Sequence, residues 1–144
     1  MKFHILRLTI SDTELIQNVI DDFLTSEESP TFEHLTNVLQ DDRTYLYLAK
    51  TEVQIIGYAL IFKFPSIYSN HNMAYLYDIE VLQEFRQNGI GKELIHKIKE
   101  QLTKDNVSEL WLGASTDNVI AQSFYLKTGA IKSNKTFNDF TYYL

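Results

Sequence analysis

A chain of 144 residues with 44% apolar and 22% charged side chains can bury about 70% of its unfolded surface around a single core. It contains no cysteine, which excludes disulfides, thiolate metal sites and an acyl-cysteine intermediate. Its formal net charge of −6 disfavours nucleic acid phosphates as partners and lends slight support to a cationic one.

Residues 1–14, MKFHILRLTISDTE, contain no long apolar run, so neither a signal peptide nor a membrane span is expected, and a cytoplasmic protein fits. Residues 2–8 alternate and read as a strand. Ser11 or Asp12 can cap a helix that carries Leu15, Ile16, Val19, Ile20 and Phe23 on one stripe. Pro30 opens a second, short helix with Phe32, Leu35, Val38 and Leu39. Residues 44–50 and 53–64 are two β-branched and aromatic runs, read as strands joined by a tight turn at Thr51-Glu52. After a loop over 65–72, residues 73–82 form another strand. A helix follows from about Gly89 to Lys104, with Ile90, Leu94, Ile95, Ile98 and Leu102 inward. Residues 108–115 are a strand, and Asp117 or Asn118 caps a last helix that Gly129 stops. Residues 130–144 are expected to make a final antiparallel hairpin. The order β-α-α-β-β-β-α-β-α-β-β predicts a mixed, mostly antiparallel sheet flanked by helices, an α/β sandwich forming a single domain over 1–144.

Residues 86–91, Arg-Gln-Asn-Gly-Ile-Gly, stand between an apolar strand and an amphipathic helix. The first N–H groups of a helix lack intrahelical partners, and the helix dipole adds positive character there. Gly89 and Gly91 allow close approach to the backbone, and Arg86 and Lys92 add formal charge, so an anion such as a pyrophosphate suits the position. A glycine-rich turn that merely starts a helix is the alternative. The motif is neither a Rossmann fingerprint nor a P-loop.

It does resemble the Arg/Gln-x-x-Gly-x-Gly/Ala signature of GNAT-superfamily acetyltransferases. The resemblance runs from about residue 44 to the end. It implies a GNAT-like fold and acetyl-CoA as co-substrate, with Arg86, Gln87, Asn88, Gly89, Ile90, Gly91 and Lys92 around the pyrophosphate and no metal. Residues 117–130, DNVIAQSFYLKTGA, are similar to the family's second coenzyme A segment, which implies roles for Asn118, Ala121, Phe124 and Tyr125. Phe124 equally suits a core aromatic. Residues 77–81, Tyr-Asp-Ile-Glu-Val, together with the glycine loop look like the aminoglycoside 3-N-acetyltransferase branch.

An amine that attacks a thioester must be neutral, whereas free alkyl amines are mostly protonated near pH 7. The site therefore needs a proton acceptor, an oxyanion stabiliser and a donor to the leaving thiolate. Asp78 and Glu80, two apart in an apolar strand, share one face and are the acceptor candidates, with a solvent-facing rim as the alternative. His71 ranks behind them. The resemblance implies main-chain N–H groups at Ile79 and Val81 for the thioester and Tyr125 as donor to the thiolate. The expected function is acetyl transfer to a primary amine of a small cationic acceptor, aminoglycoside-like or polyamine-like, within a ternary complex. Protein or peptide N-acetylation, or a non-catalytic coenzyme A sensor, are the alternatives. Neither nucleic acid nor membrane is an expected partner, and the aromatic C-terminal segment could serve a homodimer.

Overall fold

A computed structural model of the chain describes residues 1–24 and 28–144. These fall into two compact units, Met1–Leu112 and Gly113–Leu144.

The first unit is a five-stranded sheet in the order β1 (His4–Arg7), β2 (Thr44–Lys50), β3 (Ile55–Pro65), β4 (Asn72–Val81), β5 (Val107–Trp111). The first four strands pair antiparallel, and β4 with β5 parallel. The crossover from β4 to β5 is the helix α3 (Ile90–Lys104), as a parallel pair requires. Its predicted inner residues, Ile90, Leu94, Ile95, Ile98 and Leu102, are all buried, and the helix touches all five strands.

The opposite face of the sheet carries α1 (Thr13–Phe23) and α2 (Phe32–Gln40). Leu46 and Leu48 of β2, with Ile55 and Tyr58 of β3, pack there against Ile16, Val19 and Leu35. By the two-residue period of a strand, Tyr45, Tyr47 and Ala49 take the α3 face, and all three are buried. Tyr45 donates to Asp105 Oδ2 at 2.7 Å, and Arg7 lies over its ring at 3.9 Å. This ties the end of α3 to the sheet.

Three local details differ from the sequence expectation. Asp12 stands at the N-cap of α1 as expected, but its side chain turns back to accept from Thr9 N–H at 2.7 Å and makes no cap bond to the helix, and Ser11 hydrogen-bonds the Thr9 hydroxyl at 2.9 Å. Thr31, next to Pro30, caps α2 by accepting from His34 N–H at 3.1 Å, and Phe32 is exposed. The β2–β3 turn spans four residues, since Thr51 N–H donates to the Gln54 carbonyl and Thr51 Oγ1 accepts from Val53 and Gln54.

In the second unit Asn118 caps α4 (Val119–Lys127), its Oδ1 accepting from Ala121 N–H at 3.0 Å. Gly129 follows the helix at φ 98°, a conformation that favours glycine. The expected hairpin over 130–144 is not formed: these residues carry no strand. A two-strand hairpin is marginally stable by itself. Here the apolar residues do not alternate cleanly, Phe137 and Phe140 standing three apart, and both are exposed.

Candidate active site

The site is built around the end of β4. Its pairing with β5 runs only from Asn72↔Val107 to Tyr75↔Trp111, while β4 continues to Val81. Six residues, 76–81, therefore extend past the end of β5, and their main-chain edge on that side has no β5 partner. Ile79 and Val81 both lie in this stretch and are half-buried.

A bulge sets where the β4 carboxylates point. Against β3 the register reads Leu60↔Asp78 but Ile61↔Leu76, which leaves Tyr77 as an extra residue. A regular strand would place Asp78 and Glu80 on the same face as Ala74 and Leu76, which are buried. The extra residue reverses that alternation, as bulges do. Asp78 and Glu80 thus share the face of Leu60 and Tyr58, the one that carries α1 and α2. Both are half-buried, so neither the open rim nor a dry core describes them.

The partner of Asp78 is not evident from the sequence. The Tyr58 hydroxyl donates to Asp78 Oδ2. Tyr58 is itself 2% exposed. Burial first, then the bond to Asp78 and the charges of Asp78 and Glu80, hold the phenol above its ordinary pKa. It is a donor throughout the neutral range. Its only signal in the sequence is a tyrosine inside an apolar strand, and its partner depends on a register the sequence does not display.

The glycine loop follows directly. A 3₁₀ turn, Gln83–Phe85, leads into Arg86, whose Nε donates to the Val81 carbonyl at 2.8 Å. Arg86 is thereby held against the end of β4. Asn88 Nδ2 donates to the carbonyls of Phe85 and Arg86 at 3.0 and 3.1 Å, bracing the loop from within. Gln87 has φ 62° and Gly89 φ 79°, both left-handed. A non-glycine residue held there costs about 1–2 kcal/mol, strain that concentrates at binding sites. Glu93 N–H is satisfied by the Gly89 carbonyl at 2.9 Å. The N–H groups of Ile90, Gly91 and Lys92 precede it, and helix geometry gives them no carbonyl within α3. A Cβ at Gly89 would meet nothing within 4 Å, so the loop opens outward there. Left-handed turns, a positive helix end and exposed Lys92 and Arg86 form a cradle suited to a diphosphate.

The first unit thus brings together Asp78, Glu80, Ile79, Val81 and the whole loop from Arg86 to Lys92. Among the described residues no group of three or more His, Asp or Glu is arranged to hold a metal ion. The acetyltransferase (GNAT) family profile matches residues 13–130. The chain belongs to that family.

Within it, the chain is 28% identical over 100 residues to an uncharacterized N-acetyltransferase of Mycobacterium tuberculosis, covering 69% of this chain and 61% of that protein. It spans about three fifths of that relative's length. An uncharacterized N-acetyltransferase of Archaeoglobus fulgidus is 27% identical over 109 residues, 74% of this chain and 73% of the relative. Among solved structures, an aminoglycoside acetyltransferase from an uncultured soil metagenomic sample, in complex with sisomicin, superposes with a TM-score of 0.84 at 27% identity, over 99% of this chain and 96% of that one. A ribosomal-protein-alanine N-acetyltransferase from Brucella melitensis superposes at 0.76 with 17% identity, over 98% and 99% of the two chains, which shows shared fold alone.

The remaining predicted residues of this acetyltransferase-family chain belong to the second unit. Asn118 and Ala121 are joined by the cap bond of α4, and Phe124 and Tyr125 are half-buried with ring centroids 5.3 Å apart. The Tyr125 carbonyl accepts from Ala130 N–H at 2.9 Å and from Thr128 Oγ1 at 3.0 Å, which closes the helix at its C-terminal end. His71 is exposed in the loop before β4.

Proposed function

We propose that residues 1–144 act as one domain that transfers an acetyl group from acetyl-CoA to a primary amine of a small cationic acceptor, aminoglycoside-like or polyamine-like. The observation that carries this reading is the cradle of residues 86–92 set directly beyond the end of β4, whose edge over residues 76–81 has no β5 partner. The diphosphate of acetyl-CoA lies on the N–H groups at the start of α3, with Arg86 and Lys92 supplying charge. Its thioester arm lies beside residues 76–81, past the end of β5, where main-chain N–H groups of Ile79 and Val81 can donate hydrogen bonds to the developing oxyanion.

The amine nitrogen attacks the thioester carbonyl carbon. Its proton passes to Asp78, with Glu80 beside it to attract a cationic acceptor. The carbon–sulfur bond then breaks, and Tyr125 gives its phenol proton to the departing thiolate. No covalent enzyme intermediate is involved, and the chain has no cysteine to form one. The soil-sample aminoglycoside acetyltransferase supports a small-molecule acceptor, being 27% identical over nearly the full chain. A cytoplasmic protein without metal fits this chemistry.

Gly91→Glu tests the cradle. A carboxylate beside the helix start both fills it and repels phosphate. Calorimetry should find acetyl-CoA binding abolished in a variant that keeps its fold by circular dichroism. Near-normal affinity in the folded variant would remove the diphosphate from this loop.

A further inference from the structure

Tyr58 lies in the core cluster beneath α1, its ring edge-on to Phe23 with centroids 5.2 Å apart. Both its neighbours and its 2% exposure fix the ring. The register of β3 against β4 sets Tyr58 opposite Glu80 and diagonal to Asp78. Its hydroxyl meets Asp78 Oδ2, the very carboxylate that the Tyr77 bulge turns to this face. Among the described residues no buried side-chain nitrogen or oxygen is left without a hydrogen-bond partner, so this phenol's bond is part of a satisfied arrangement.

We propose that Tyr58 is a positioning residue: by donating to Oδ2 it fixes the Asp78 carboxylate so that Oδ1 faces the acceptor and takes the amine proton. The inference rests on the reading of Asp78 as the proton acceptor. Tyr58 keeps its own proton throughout. The proton that leaves the amine ends on Asp78, and no bond to Tyr58 forms or breaks. Phe23 belongs to this arrangement, since its edge contact holds the phenol from the α1 side. A rigid backing of this kind matters because a carboxylate on a half-buried strand can otherwise rotate about its side-chain torsions, and small misplacements of a reacting group are costly.

A double-mutant cycle tests the proposal, with kcat and KM for one good cationic amine measured in wild type, Tyr58→Phe, Asp78→Asn and the double variant. Tyr58→Phe keeps the ring and its contact with Phe23, and its melting temperature verifies the fold. In the wild-type background it should lower kcat/KM roughly 10- to 100-fold, mainly in kcat. In the Asp78→Asn background it should add less than about a twofold loss, because the group it orients is gone. A purely structural tyrosine would cost the same factor in both backgrounds, and that result overturns the proposal. So does a Tyr58→Phe variant within twofold of wild type while Asp78→Asn is impaired. If Asp78→Asn is itself fully active, the base reading fails and the positioning role falls with it. Proton NMR supplies a readout that does not depend on activity. A deshielded, slowly exchanging phenolic proton should be present in wild type and absent in Tyr58→Phe, and its absence from wild type would also overturn the proposal.

Discussion

Asp78 is a carboxylate that a regular strand would have buried. Its half-buried setting on the α1–α2 face follows from one extra residue, Tyr77, and from a phenol that meets it there. This predicts a division of labour that pH can expose. Asp78→Asn should lower kcat/KM by roughly 10²–10⁴, the range for loss of a general base. The deficit should narrow as pH rises, because more of the acceptor amine is already neutral. Tyr125→Phe should lose less and should not be rescued at high pH, since only the donor to the thiolate is gone. A pH–rate profile of the three proteins with one acceptor checks both. An Asp78→Asn variant that keeps full activity and the wild-type acidic limb would transfer the role to Glu80 or to the small neutral fraction of the amine. The proposed carboxylate pair and glycine loop could be picked out in the sequence because residue type and spacing alone mark them. Tyr58 was not, because its partner is chosen by cross-strand register and by the bulge.

At the scale of elements, the period of α3 was readable to the residue: five apolar positions on one stripe, all buried. Patterns failed where a strand's existence depended on a partner. Residues 130–144 contain aromatic residues suited to strands, yet form none. The truncation of β5 at Trp111, which leaves residues 76–81 of β4 without a β5 partner, was equally invisible, since residues 112–115 read as a continuation. Gly57 shows what holds the other edge of β4 in place. A Cβ there would stand 2.8 Å from the Glu80 carbonyl oxygen and 3.2 Å from Val81 Cγ2. Gly57→Ala must push β3 and β4 apart beside the site. Thermal or denaturant unfolding should show a loss of about 1–3 kcal/mol, the usual cost of overpacking. An alanine variant as stable as wild type would mean that the strands separate without cost.

Across the whole molecule, the link between α3 and the sheet at Tyr45 and Asp105 should contribute to acid resistance. Burial pushes the Asp105 carboxyl up, but the hydrogen bonds from Tyr45 and Gln101 and the charges of Lys63 and Arg7 outweigh it, and the net shift is downward. A carboxyl lowered on folding stabilises the protein above its unfolded pKa, about 3.9, and that contribution is lost as pH falls through the folded value. Tyr45→Phe should therefore cost on the order of 1–2 kcal/mol at neutral pH, near the low end for a bond to a charged group because Asp105 is half-exposed. Its acid unfolding midpoint should move to higher pH in a circular-dichroism titration, and an unchanged midpoint would remove Asp105 from the balance. The family was legible in the sequence because the glycine loop between strand and helix matches a family signature and also has the make-up proposed for an anion cradle. The acceptor was not, because it is chosen by side chains that no such signature fixes. Amine-dependent use of acetyl-CoA is tested by thiol release from acetyl-CoA against a panel of an aminoglycoside, a polyamine, a peptide N-terminus and a neutral amine. Release that requires an amine and is fastest with the small polycations is the predicted result; tight acetyl-CoA binding with no release above background for any amine would contradict it and leave a coenzyme A sensor.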